Sequence, residues 1–382
     1  MRLQEFEAKE IFKKMGITVP PGKVAKTTTE AKMIATEIGL PVVVKAQVLV
    51  GGRGKAGGIQ IAETLEEVIE ITRNILNHKI RGFQASEVLI EKKLDIEKEL
   101  YCGVTIDRTS GMPVIMVSSE GGINIEEIAA QFPDKIYKYY CPPNHPIYTF
   151  QMVDLIKKLG FNGKILLKMS RIIEKIFQAF KQYDGIIAEI NPLVITKDKQ
   201  LFCADAVFQI DDSSLFRHPI LEKKKYEKIN PRLQRMDKKG ATYVRLYGNI
   251  GLICSGAGLA MSTMDMIKKI PGLSAANFLE TGGGITAELM EDCMEIILDN
   301  HTLKGILINL YGGINPIHEG AKGIVKVIQN RKIKIPVVAK ALGNKQEETW
   351  QILEKAGVNI YKSPDTQGAI QYFAKVLGGR SI

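Results

Sequence analysis

The stretch Asn249-Ile250-Gly251-Leu252-Ile253-Cys254-Ser255-Gly256-Ala257-Gly258-Leu259-Ala260-Met261 decides how the second half of this chain folds. A short apolar run, a glycine turn and the start of an amphipathic pattern succeed one another, which reads as a buried strand passing directly into a helix. The same unit recurs downstream. The pattern predicts strands over 249–254, 276–280, 305–310, 336–341 and 359–362, alternating with helices over 259–269, 287–299, 320–330, 347–356 and 367–377. Alternation at this spacing implies right-handed βαβ crossovers and a parallel sheet covered on both faces, a flavodoxin-like doubly wound α/β domain. Glycine loops follow four of the strands, at Ser255-Gly256-Ala257-Gly258, Thr281-Gly282-Gly283-Gly284, Tyr311-Gly312-Gly313 and Leu342-Gly343-Asn344. All fall on the carboxyl edge of the predicted sheet, where such folds take ligands and helix N-termini offer N–H groups to anions. Plain strand-to-helix turns are the competing explanation.

Upstream the rhythm is lost. Residues 3–15 read as a helix, 29–44 as a helix and strand, 59–62, 88–91, 100–106 and 114–117 as extended, and 150–159 and 163–183 as helices. Helices interrupted by meandering strands indicate an α+β domain. Between the halves, 221–240 is dense in Lys and Arg, with Asn230-Pro231 a good helix start and Gly240 a good stop. The expected division is therefore 1–228, a linker helix within 229–243, and 244–382.

Composition narrows the function. The chain has 382 residues, 45% of them hydrophobic, and 52 Lys and Arg against 42 Asp and Glu, which leaves +10. That is ample for a core and excludes wholesale disorder. No apolar run approaches the roughly 18 residues of a membrane span, and the opening lacks a signal-peptide core, so neither a membrane nor secretion is expected. Five cysteines without a CxxC spacing argue against a disulfide framework or a zinc site and for a reducing compartment, the cytoplasm or, after removal of a leader, a mitochondrial matrix. Nucleic-acid binding is the rival that net charge alone suggests. Interleaving of Lys with Glu and an aromatic content of 7% make it a weak rival, since dispersed charge of this kind usually solvates helices, and a basic balance equally suits acidic small molecules such as nucleotides.

Two segments carry candidate chemistry. Gly51-Gly52-Arg53-Gly54-Lys55-Ala56-Gly57-Gly58 follows a β-branched strand that ends in Lys45. It is not a dinucleotide loop, since Ile59-Gln60-Ile61-Ala62 reads as a strand, and not a P-loop, since Ala56 follows Lys55. What it offers is a hairpin rich in backbone N–H groups and cations, able to fold over a triphosphate or simply to move at the surface. The second segment is the ribbon 186–206. If Asp198 is its apex, Asn191 faces Asp205, and the two-residue period puts Glu189 on the same face. Oxygen ligands of this kind suit Mg²⁺ shared with a nucleotide's phosphates; a polar stripe on a half-buried sheet is the alternative. Pro192 within the run implies an edge or a bulge. None of the histidines, His78, His145, His218, His301 and His318, sits in a nucleophile or metal motif; His318 alone lies near the expected ligand edge.

Matching strings run through the chain: residues 3–9 (LQEFEAK), Val44-Lys45-Ala46-Gln47 with 51–58, Lys98-Glu99-Leu100-Tyr101, Glu189-Ile190-Asn191-Pro192-Leu193, Leu215-Phe216-Arg217-His218-Pro219, Gly248-Asn249-Ile250-Gly251, 256–261 and Thr263-Met264-Asp265. In these the sequence resembles the β subunits of succinyl-CoA synthetases, an ATP-grasp domain followed by a flavodoxin-like CoA-ligase domain. The resemblance implies a reversible ligation of succinate and CoA driven by ATP, relayed through a phosphohistidine on a separate α subunit that also binds CoA. It implies that Lys45, Gly52, Arg53 and Gly54 hold phosphates, that Glu91 and Glu99 contact the nucleotide, and that Asn191 and Asp205 bind Mg²⁺. Glu189 would face the phosphohistidine and orient its imidazole. Ser255, Gly312, Gly313, Ile314 and Asn315 would bind the dicarboxylate, and Pro20 resembles the ATP-using members. The chain departs from the family at Val207, where a Lys is usual, at Ser255, where an Asn is usual, and across Asn315-Pro316-Ile317-His318. Malate- or citrate-CoA ligation and a non-catalytic nucleotide-binding regulator are the rival functions.

Overall fold

Gln4 starts the first helix. Its side chain and that of Glu7 satisfy each other's backbone N–H groups in a capping box, so the helix spans Glu5–Lys14 and turns Ala8, Ile11 and Phe12 into the core. The computed structural model describes residues 1–378 except 124, 143, 144, 228 and 301. His301 and the expected boundary residue 228 thus lie outside the described residues. Two units result, Met1–Glu222 and Lys223–Ile382.

The first unit holds two main antiparallel sheets. One has the order Gly22–Ala25, Val88–Lys92, Val42–Ala46, Ile59–Ala62, and packs its apolar face on helices Thr28–Ile38 and Leu65–Asn77. The second runs Leu201–Cys203, Gly185–Thr196, Ile96–Ile106, Pro113–Ser118, Ile136–Tyr140, and Ala206–Ile210 also pairs with Gly185–Thr196. It is covered by the first helix and by Thr149–Lys157 and Gly163–Gln182. The last of these buries Leu166, Met169, Ile173, Ile176, Phe177 and Phe180 at helical spacing. The helix Leu65–Asn77 was not expected, although Thr64 and Glu67 form a capping box at its start. Pro192 lies in a central strand, where the register against Ile96–Ile106 shifts between Ile190 and Leu193; a bulge, not an edge, accommodates it.

In the second unit the strands run Thr242–Arg245, Asn277–Glu280, Ile250–Cys254, Gly305–Gly312, Val337–Gly343, Asn359–Ile360. The last five, all parallel, have the 2-1-3-4-5 order of a flavodoxin-like sheet. The first is an antiparallel edge strand that the sequence pattern did not reveal. The expected linker belongs to this unit. Helix Pro231–Lys238 is capped by Asn230, buries Met236 in the core, and pairs Arg235 with Asp292, while the division between units falls after Glu222.

Candidate active site

A cavity of about 570 Å³ opens between the two sheets of the first unit, and it brings together Lys45, Gly52, Arg53, Gly54, Glu91, Glu99, Glu189, Asn191 and Asp205. The glycine segment forms its rim. Strands Val42–Ala46 and Ile59–Ala62 pair as a hairpin with Lys45 opposite Ile59, and between them Gly54–Ala56 makes a single 3₁₀ turn. Gly57, at φ 75°, ends that turn in a conformation that side chains disfavour. Arg81 donates to the Gly51 carbonyl at 2.9 Å and anchors the loop.

Beneath the loop lies a buried cluster of six charges. Lys45 Nζ donates to Glu5 Oε1 (2.9 Å) and the Ala204 carbonyl (2.5 Å) and pairs with Glu91 Oε2 at 2.7 Å. Lys9 reaches Glu5 at 2.8 Å, Glu91 at 2.7 Å and the same carbonyl at 2.7 Å. Arg53 crosses from the glycine loop to the ribbon, with Nη2 donating to both oxygens of Asp205 (2.8 and 2.9 Å), lying 2.7 Å from Glu5 Oε2, and with Nη1 donating to Ala46 O. Burial works against the Glu5 charge, yet Lys45, Lys9 and Arg53 together hold its carboxyl well below the ordinary range. Asp205 goes the other way, raised by burial and by Glu5 against the pull of Arg53. Glu5 and Lys9, present in the residues 3–9 match, were not assigned to the site. An E-x-x-x-K spacing on a helix normally reads as a surface pair, and nothing local says that the helix is inserted between the two sheets.

The ribbon keeps the register its apex implies. Leu193 opposes Cys203, Glu189 opposes Val207, and Asn191 N–H donates to the Asp205 carbonyl at 3.2 Å. The Asn191 side chain accepts from Gly122 N–H and donates to Ile123 O, both at 2.8 Å. It thereby fastens the loop after strand Pro113–Ser118 against the cavity. The Gly121-Gly122 pair permits this: a Cβ at Gly121 would lie 2.6 Å from Leu100 N, and one at Gly122 would press on the Glu99 carboxylate. In the sequence, the Gly121-Gly122 pair is the one local sign of this close approach.

Burial, then the neighbouring Asp205 charge, pushes the Glu189 carboxyl up to about 7, and Tyr101 Oη donates to it at 3.4 Å. Its pKa is thus above the ordinary 4.5, so the folded chain binds more protons than the unfolded chain between these values. Stability should accordingly fall as pH rises from about 4.5 to 7 and then level off, and Glu189→Gln should remove that slope. Denaturant melts of both proteins across pH 4 to 8 (~0.5-unit steps) check it; parallel profiles would refute the assignment.

The second unit's loops meet at the carboxyl edge of its sheet. Ser255 Oγ accepts from Tyr311 N–H at 2.6 Å and donates to Tyr311 O at 3.1 Å, tying the first loop to the third. Asn315 donates to the Gly283 carbonyl, and Asn344 to that of Ile314 at 2.8 Å. Ile314 is 89% exposed. Gly312 is packed under Ile317 and Gly343, Gly313 is open, and His318 pairs with Glu319 at 3.0 Å. Gly343, at φ 116°, leaves no room for a Cβ against the Gly312 carbonyl. Gly343→Ala should therefore cost about 1–3 kcal/mol in backbone strain, read as a lower melting transition for the second unit; an unchanged melt would show that the loops yield freely.

Comparison with known proteins agrees with this architecture. Residues 2–195 match the family described as ATP-grasp domain and residues 253–371 the family described as CoA-ligase. Over 380 residues, 99% of this chain and 100% of the relative, the sequence is 40% identical to succinate--CoA ligase (GDP-forming) subunit beta of Thermus thermophilus. It is also 40% identical over 360 residues, 94% of this chain and 95% of the relative, to succinate--CoA ligase (ADP-forming) subunit beta of Roseiflexus sp. (strain RS-1). ATP citrate lyase from Methanothrix soehngenii, solved with citrate and coenzyme A, shares the fold with a TM-score of 0.74 over 99% of both chains, at 17% identity.

Proposed function

Because the chain belongs to the succinate–CoA ligase β-subunit family, with its ATP-grasp and CoA-ligase domains, we propose that it binds ATP in the first unit's cavity and passes the terminal phosphoryl group to a histidine of an α-type partner. That partner would carry the CoA site, and the acid would be succinate. The observation that carries this reading is Arg53, which joins the glycine loop to Asp205 of the ribbon and so makes one cleft of the two candidate segments.

In this reading Pro20, Val43, Leu94 and Ile96 give the base an apolar slot. Lys45, Arg53 and the backbone of Gly52 and Gly54 take the phosphates, whose oxygens replace Glu5 and Asp205 as partners of the two cations. Glu99 faces the nucleotide, and Glu91 acts through the lysines it holds. Phosphoryl transfer asks for positioning and charge more than for covalent help, which fits a cavity with no Ser, Thr, Cys or His among its described lining residues. Glu189, poised near neutrality, accepts a hydrogen bond from the incoming imidazole and fixes which ring nitrogen faces the phosphorus.

Mg²⁺ fits the donors on this wall. Among the described residues no group of three or more His, Cys, Asp or Glu side chains could hold a metal, and Mg²⁺ needs no such cage, since it keeps waters and phosphate oxygens. Asp205 supplies a carboxylate, and Asn191 Oδ1 has a second lone pair beyond the one that Gly122 uses. When bound there the ion would neutralise phosphate charge. Purification with the α-type partner, then ATP labelled in its terminal phosphate, tests the function: label should move to a partner histidine, and succinate with CoA should discharge it. An unlabelled partner would defeat the proposal; discharge by malate or citrate but not succinate would change only the acid.

A further inference from the structure

The cations that the sequence places at the phosphates are already committed. An ammonium has three donors, and those of Lys45 meet Glu5, Glu91 and the Ala204 carbonyl. Lys9, Lys45 and Arg53 stand against Glu5, Glu91 and Asp205, so the buried cluster has no net charge to set against a polyanion. Two further lysines line the cavity. Lys55 pairs with Glu127 at 3.0 Å, and Lys92 donates to the Gly39 and Leu40 carbonyls at 2.9 and 3.0 Å. Arg2 is the remaining cation on the wall, and among the described residues its guanidinium meets no acceptor.

Its place is fixed by backbone. Leu3 N–H donates to Phe208 O at 2.9 Å, and Arg2 bridges Gln209 in antiparallel fashion. Opposed residues of an antiparallel pair share a face, and alternate residues return to it. Gln209 opposes Ile187, and Val207 opposes Glu189. Arg2 therefore stands on the Glu189 face, one alternate position along and two strands across, beside the uncharged Val207. Arg2, Ile187, Glu189 and Val207 all line the cavity.

We propose that Arg2 binds the terminal phosphoryl group of the bound triphosphate at the Glu189 end of the cavity, supplying the free positive charge that the buried cluster lacks. A guanidinium matches phosphate oxygens two at a time and stays charged at every working pH. The inference rests on the ATP reading above.

Calorimetric titration of the full chain with ATP and with ADP, magnesium present, tests it on Arg2→Gln and Arg2→Lys. Loss of one charge-assisted contact should weaken ATP binding by about tenfold in Arg2→Gln, with ADP affinity within about twofold. Arg2→Lys, which keeps the charge without the fork, should fall between. Unchanged ATP affinity, or equal losses for ATP and ADP as a folding defect would give, overturns the assignment of Arg2. Should the unaltered chain bind neither nucleotide, the ATP reading falls and Arg2 with it; unaltered binding with an undiminished ATP preference in Arg2→Gln removes Arg2 alone.

Discussion

Replacing Glu189 by Gln should, on the proposed function, slow phosphoryl transfer to the proposed partner histidine by about 100- to 10,000-fold while ATP affinity stays within about threefold. The substitution keeps size and hydrogen-bonding reach, so the Tyr101 contact and the ribbon register survive. What it removes is a carboxyl that burial and Asp205 raise to about 7. A group of that pKa changes charge near neutrality, and its carboxylate form is the stronger acceptor for the imidazole's hydrogen bond. The transfer rate of the unaltered protein should therefore rise through an inflection near pH 7 that the variant lacks. Single-turnover labelling of the partner over a pH series reads both. A variant that transfers at full rate, or that keeps the inflection, would place the proton chemistry elsewhere.

The second large effect concerns Glu5. One carboxylate faces three cations there, at 2.7 to 2.9 Å, with its side chain 1% exposed. Glu5→Gln leaves the cluster with one uncompensated positive charge in a low-dielectric setting, and removal of one partner from a buried pair costs about 3–5 kcal/mol. For a unit of this size that corresponds to a melting point lower by about 6–20 °C. The deficit should shrink when ATP is added, because phosphate oxygens supply the missing negative charge. Its pH dependence has a definite sign. The folded carboxyl of Glu5 is depressed below the ordinary 4.5, so its contribution is complete above that value and is lost as pH falls toward the folded pKa. The two proteins should differ most at neutrality and converge in acid. Equal melting at pH 7 (roughly within 1 °C) would mean that Glu5 is a bystander.

The doubly wound unit was legible because its information is local. Each apolar strand, glycine loop and amphipathic helix announces itself within about a dozen residues, and handedness fixes the rest. The pairing of Asn191 with Asp205 was legible for the same reason, since one tight turn at Asp198 sets the register of the whole ribbon. What escaped reading was set by distant contacts. The strand Thr242–Arg245 straddles the end of the stretch read as linker, 229–243, and finds its partner, Asn277–Glu280, more than thirty positions on. Glu5 and Lys9 look like an ordinary helical surface pair until Glu91 and the Ala204 carbonyl are brought beside them. Candidate nucleotide ligands could be named from the sequence; that those cations are already neutralised could not, because Glu5, which meets Lys45 and Arg53 as well as Lys9, comes from a helix that no spacing rule connects to the glycine loop.

The link between Lys9 and the Ala204 carbonyl spans 195 positions. At roughly 5–20 residues per second of synthesis, the opening helix is made about 10–40 s before its acceptor. Its ionised face must wait in water through that interval. The nascent polypeptide consequently has no finished grip for a triphosphate until the ribbon has emerged, and ligand capture becomes a late checkpoint in maturation, not an early template for it.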